Sequence, residues 1–191
     1  MFKRKRGIPV DGESAQLGFA AAAAVLVLAT AFAPACNAQS SGNEISISGG
    51  RADDSIDVIG LRLGKPIGFW DFASCQGFAE ADIEYWSAPH QQHAPGDMTT
   101  IGTLAGCRFM ATSRISPEIG MGVRLLSHVQ IVDDKYYSTA FQFQEMFGAR
   151  LRLDDEGKYF AGLRARHISN GSIKRPNAGI NTLLLSVGML F

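Results

Sequence analysis

The chain has 191 residues, 46% of them hydrophobic and 19% charged, with 18 basic residues against 18 acidic ones. Setting aside the N-terminal segment leaves 14 basic and 16 acidic residues, and a domain near −2 lacks the basic footprint that a nucleic-acid partner requires. The remaining length makes one domain, and its two cysteines, Cys75 and Cys107, are too few for a disulfide framework.

The first element is an export signal. "MFKRKR" is a cationic opening, Leu17–Phe32 is an apolar core, and "CNA" (Cys36–Ala38) before Gln39 puts small residues where a signal peptidase cuts. Residues 1–38 are therefore expected to be a cleaved secretory signal peptide and 39–191 the mature domain. A retained anchor would need a longer apolar run. A lipoprotein reading of Cys36 rests on "APAC", which carries a proline in an awkward place.

After Ala38 the apolar residues recur with period two, interrupted by turn formers, which predicts strands. A short strand covers Ile45–Gly50. Around Ile56–Gly64, Ile59, Leu61 and Leu63 oppose Gly60, Arg62 and Gly64. Around Gly77–Trp86, Ala79, Ala81, Ile83 and Tyr85 oppose Glu80, Asp82 and Glu84. Thr99–Met110, Pro117–Leu125, Thr139–Leu151 and Lys158–Ser169 repeat the pattern, with Arg108, Arg124, Arg150, Arg164 and Arg166 on the non-apolar face. Ile180–Phe191 closes the set of eight with Leu183, Leu185, Val187, Met189 and Phe191 on one side.

One face is mainly apolar, and the other mixes glycine with both signs of charge. That division fits an all-β, eight-stranded antiparallel transmembrane barrel of the outer-membrane type, apolar toward lipid and polar within. Glycine makes room in the lumen, and Glu80, Asp82 and Glu84 offset the inward arginines, whose burial without partners would be costly. With both termini periplasmic, the turns near 113–116 and 154–157 are short and the segments 88–98, 127–138 and 170–179 are longer external loops. "GKPIGFWDFASCQG" is long for a periplasmic turn and fits least well. A soluble lipocalin-like barrel is the competing architecture. In the assumed register Cys75 and Cys107 fall about four residues, or roughly 13 Å, apart along neighbouring strands, too far for a bridge.

The last hairpin, "RHISNGSIKRPNAGIN" (Arg166–Asn181), carries the chemistry. His167 and Ser169 share parity with Leu163 and Ala165, and Asn181 shares parity with Leu183 and Leu185, so all three belong to the lipid-side wall. Pairing His167 with Asn181 brings them within cross-strand reach. A serine becomes a nucleophile when a base within hydrogen-bond reach takes its proton and a third group orients that base. An interfacial polar cap on an ordinary hairpin is the plainer alternative.

These residues resemble the outer-membrane lipid A 3-O-deacylases, whose signature is His-x-Ser-Asn, a short turn, Pro-Asn-x-Gly-Ile and an acidic residue. The terminal Phe191 likewise resembles the C-terminal assembly signature of outer-membrane barrels. The family resemblance implies an ester hydrolase acting on lipid A or lipopolysaccharide, with no cofactor and a possible homodimer. It implies Ser169 as nucleophile, His167 as base, and Asn170 with a backbone N–H at about Ser172 as oxyanion donors. Asn177 matches the motif, with turn geometry as a sufficient role.

The departure is Asn181, where the family has glutamate. An amide can accept a hydrogen bond from the imidazole but supplies no charge, and the comparable change in a serine protease costs about 10⁴ in turnover. Glu145 interrupts the row Phe141, Phe143, Phe147 on the preceding strand and is the alternative acid. In the assumed register it lies beside Ala165 and diagonal to His167; a bulge turning it inward is the competing reading. His90, His93 and Asp97 make a poor metal set because they lie in a loop with no closed spacing, and His128 with Asp133 and Asp134 reads as solvated loop. A non-catalytic small barrel that keeps the hairpin for stability or surface binding is the alternative function.

Overall fold

The computed structural model describes residues 42–67, 75–89 and 92–191. The proposed export signal lies outside the described residues, as do His90 and part of the connection after Pro66. Alternation builds the strands where the sequence predicts them: β1 (Glu44–Ala52), β2 (Ile56–Pro66), β3 (Cys75–Ser87), β4 (Asp97–Phe109) and β5 (Ile115–Leu126). After two short strands, β6 (Gln130–Val132) and β7 (Lys135–Tyr136), come β8 (Phe141–Arg152), β9 (Tyr159–Ser169) and β10 (Ile180–Leu190). Eight of them close an antiparallel barrel in the order β1-β10-β9-β8-β5-β4-β3-β2, and β6 and β7 form a separate hairpin. The barrel strands run 9 to 13 residues, the length that crosses a bilayer core when tilted.

The faces settle the choice between a soluble and a membrane barrel. The outward rows expose Ile59, Leu61, Leu63, Met121, Leu183 and Leu185, the last at 67%. A water-soluble surface does not carry a continuous apolar belt of that extent, whereas a lipid-facing wall requires one. Inside, the charges pair. Arg108 meets Glu118 at 2.7 Å and Glu44 at 2.9 Å, Arg164 meets Glu80 at 2.6 Å and Glu118 at 2.7 Å, and Arg124 meets Asp82 at 2.5 Å and Glu84 at 3.0 Å. Arg62, Arg150 and Arg166 complete the lattice with Glu80, Glu44 and Glu84. Glu44 and Glu118 thus join the three acids anticipated from sequence, so each of these buried arginines has a carboxylate within ion-pair distance.

Two features depart from expectation. The 127–140 connection is no plain loop: its β6–β7 hairpin lowers Ile131, Val132 and Tyr137 onto Trp86, Met98, Ile168, Ile180 and Leu184, so an apolar plug closes that end of the polar lumen. The second is Cys75–Cys107, which form a disulfide with their Cα atoms 5.7 Å apart. Cys107 pairs with Gly77 and Cys75 with Phe109. The real β3–β4 register therefore offsets the cysteines by two residues, a diagonal that a bridge spans.

Candidate active site

The β9–β10 hairpin sits at the plugged end of the barrel. Its ladder pairs His167 with Asn181 and Ile168 with Ile180, as the parity argument requires. Ile168 and Ile180 are buried in the plug, which fixes the strand faces and turns His167, Ser169 and Asn181 onto the outer wall. Across β8, Glu145 stands directly opposite His167, and Phe147 is the residue beside Ala165. The assumed register was two residues off, so Glu145 lies nearer the histidine than expected. The ladder is regular through Glu145, and no bulge turns it inward. One row across three strands is thus Glu145–His167–Asn181, and Phe143–Ser169 lies in the next.

His167 Nδ1 and Asn181 Oδ1 are 2.8 Å apart. Asn181 is itself held: its backbone N–H and its Nδ2 donate to Asp53 Oδ2 at 2.8 and 3.0 Å. Asp53 belongs to a short 3₁₀ turn, Asp53–Ser55, between β1 and β2. Barrel closure delivers it, because Ala52 pairs with Thr182 at the end of the β1–β10 ladder and the next residue on each strand is Asp53 and Asn181. The neighbouring Asp54 is engaged by Lys135 Nζ at 2.5 Å. Burial pushes the Tyr137 hydroxyl above its ordinary value, helped by the negative charge of Asp54 and Asp53.

The imidazole also lies close against a glycine. A Cβ placed on Gly179 would lie 2.6 Å from His167 Cε1 and 3.1 Å from Nε2, so the ring lies across the glycine with its Nδ1 edge toward Asn181.

The connecting loop is tightly tied. Ile173 N–H donates to Asn170 O at 3.2 Å around Gly171 (φ 62°) and Ser172 (φ 64°), the paired left-handed conformation of a type I′ turn. Asn170 is fully buried; its Nδ2 donates to Tyr137 O at 3.1 Å and Lys174 O at 2.8 Å, and its backbone N–H donates to Asn177 Oδ1 at 2.9 Å. All the N–H groups of Asn170 are therefore engaged, within the loop and on the Tyr137 carbonyl, which competes with the oxyanion role inferred from sequence. Asn177 takes a turn-bracing position, and Ser138 Oγ fastens the loop again by donating to Pro176 O at 2.6 Å.

The remaining candidates do not converge on this site. Asp133 accepts the backbone N–H groups of Gln92, His93 and Ala94 at 2.9, 2.9 and 2.7 Å, and Asp97 accepts from the Tyr85 hydroxyl at 3.3 Å. His128 Nδ1 lies 2.8 Å from Ser127 Oγ. Sequence reasoning missed Asp53 and the packing role of Gly179. Only the closure register would have found Asp53, and Gly179 was visible as a motif glycine without its reason.

The sequence model of the family described as lipid A 3-O-deacylase (PagL) matches residues 74–190. The lipid A deacylase PagL of Bordetella bronchiseptica is 30% identical over 107 residues, covering 56% of this chain and 58% of that relative; the chain thus aligns with little more than half the length of this curated relative. The crystal structure of the outer membrane enzyme PagL superposes with a TM-score of 0.61 at 24% identity, covering 78% of this chain and 99% of that one. The N-terminal barrel domain of Pseudomonas aeruginosa OprF gives 0.53 at 16% identity over 79% of this chain and 98% of that one. At these identities the structural likenesses show the fold, an outer-membrane β-barrel.

Proposed function

Since this chain belongs to the lipid A 3-O-deacylase family, we propose that it is a serine esterase that hydrolyses the ester-linked 3-O acyl chain of lipid A from the outer leaflet. The observation that carries the reading is the His167–Asn181 hydrogen bond on a lipid-facing wall that also bears Ser169. Polar groups on that wall carry a cost and need a reason, and an ester carried by a membrane lipid supplies one.

With Nδ1–H donating to Asn181 Oδ1, the lone pair of the imidazole sits on Nε2. There it takes the Ser169 Oγ proton as Oγ attacks the ester carbonyl. The tetrahedral oxyanion needs donors placed beforehand. The Ser172 N–H, beside that of Gly171 in a turn of successive left-handed residues, is suited to the role because such turns aim backbone amides into an anion-binding concavity. Asn170 serves one step back, by holding that turn on Tyr137 and Lys174. Collapse breaks the bond between the acyl carbon and the sugar oxygen, which leaves with the proton from Nε2. Water then enters by the same base and releases the fatty acid from Ser169.

A site on the outer wall opens sideways, so a many-tailed lipid presents its ester without leaving the membrane. The test is mass spectrometry of lipid A from cells expressing the wild type or Ser169→Ala. The wild type removes one acyl chain and the alanine variant leaves lipid A unchanged. An unaltered lipid A profile with the wild-type barrel well assembled would overturn the assignment.

A further inference from the structure

We propose that Asp53 is a positioning residue of this site, the carboxylate that acts on His167 through Asn181. The inference deepens the esterase reading and rests on it for its kinetic arm. Asp53 lies outside the residues, 74–190, that the family model matches, and it reaches the site across 128 positions of sequence.

An ionised carboxylate only accepts. Two N–H groups of Asn181 converge on the single oxygen Oδ2 of Asp53, the backbone N–H at 2.8 Å and Nδ2 at 3.0 Å. Amide orientation is settled by such partners: with Nδ2 drawn to the carboxylate, Oδ1 must face the imidazole. That oxygen only accepts, so the ring nitrogen 2.8 Å away must carry the proton. The Nδ1–H tautomer follows, and Nε2 is left as the base. Reversed, the amide would set its oxygen against the carboxylate, offer Nδ2 to Nδ1, and select the tautomer that cannot accept the serine proton.

Asp53 thus fixes the tautomer through an asparagine that could not choose by itself. It also returns negative charge, one amide removed, to a site whose family position is occupied by an amide. The charged and titratable groups around this chain of bonds are Glu145 opposite His167 on β8, Asp54 with its partner Lys135, and the Tyr137 hydroxyl, which feels both aspartates. Lys135 is committed to Asp54, which leaves Asp53 to Asn181. Glu145 stands opposite His167 on the neighbouring strand, but Nδ1 already has its partner in Asn181.

The experiment compares full-length barrels in detergent micelles: wild type, Asp53→Ala, Asn181→Asp and the double variant, assayed for kcat and KM on lipid A. Asp53→Ala is expected to lower kcat by roughly ten- to a hundred-fold, the scale of a charge-assisted hydrogen bond, with KM little changed. Adding Asn181→Asp to it puts the carboxylate directly on Nδ1 and is expected to recover most of the loss. In the presence of Asp53 the same substitution sets two carboxylates face to face and gives no gain. A purely structural role in the β1–β2 turn would not be rescued in this way.

Nitrogen-15 spectra of the His167 ring give a readout independent of turnover: Nδ1–H in the wild type and a mixture in Asp53→Ala. Asp53→Asn, which keeps the acceptor and loses the charge, serves if the alanine variant does not assemble, and is expected to lower kcat as well. An Asp53→Ala barrel within two-fold of wild-type kcat, a double variant no better than Asp53→Ala, or an unchanged tautomer would each overturn the proposal. So would loss in Glu145→Gln with Asp53→Ala silent. Wild-type inactivity on lipid A would instead strike the esterase reading, and the tautomer would still decide the role of Asp53.

Discussion

Gly179 shows how closely the imidazole is confined. An added methyl would meet Cε1 at 2.6 Å, inside any contact the ring could keep while bonded to Asn181. Gly179→Ala is therefore expected to tilt the ring off Asn181 and lower kcat by about a hundred-fold, the usual consequence of ångström misplacement, with assembly intact. Steady-state kinetics beside a folding assay check this, and unchanged kcat would mean the ring does not work from the observed position. His167, Ser169 and Asn181 could be found from sequence because parity is local: a strand alternates whatever its partner. Asp53 could not, because its place beside Asn181 is made by the last pairing of β1 with β10, a non-local closure that leaves no trace in residues 53–55.

The same distinction holds for whole elements. Strand positions were readable from alternation, but register was not, since a slip of two residues preserves every face. That slip hid the Cys75–Cys107 bridge and placed Glu145 one step too far from His167. The β6–β7 hairpin was missed because its strands are two and three residues long, too short for periodicity to register. It matters to the site: Asn170 hangs from the Tyr137 carbonyl and Pro176 from Ser138.

Asp133, at the tip of that hairpin, clamps the backbone at residues 92–94. The N–H groups of Gln92, Ala94 and His93 hold its carboxyl below the ordinary value of 3.8. A carboxyl depressed on folding stabilises the fold above its ordinary value, and that contribution is lost as pH falls through the lowered one. Amide exchange at His93 and Ala94 should therefore stay protected at neutral pH, lose protection only in acid below 3.8, and be lost at neutral pH in Asp133→Ala. Protection that ignores both changes would show that the clamp does not hold the loop.

At the scale of the molecule, the inside-out arrangement was readable because most strand glycines share a face with the row of arginines and acids. The structure adds the reason these two belong together. A Cβ on Gly102 would lie 2.6 Å from Arg124 Nη2 and 2.9 Å from Asp82 Oδ2: the glycine is the space in which that ion pair forms. Arg124 has no solvent exposure and joins Asp82, Glu84, Thr100 and Gln144 from three other strands. Removing one partner of a buried pair is costly because it strands the other charge. Glu84 keeps Arg166 and the Trp86 N–H, whereas Asp82 loses the guanidinium that binds it. Arg124→Leu should thus destabilise the barrel by about 3–5 kcal/mol, read as a lower urea midpoint of unfolding from micelles. Adding Asp82→Leu removes the stranded carboxylate and should recover much of the loss, since an apolar pair of similar volume is close to neutral. If instead the two losses add, the lumen is stabilised by each charge separately, and the glycines serve packing without serving the ion pairs.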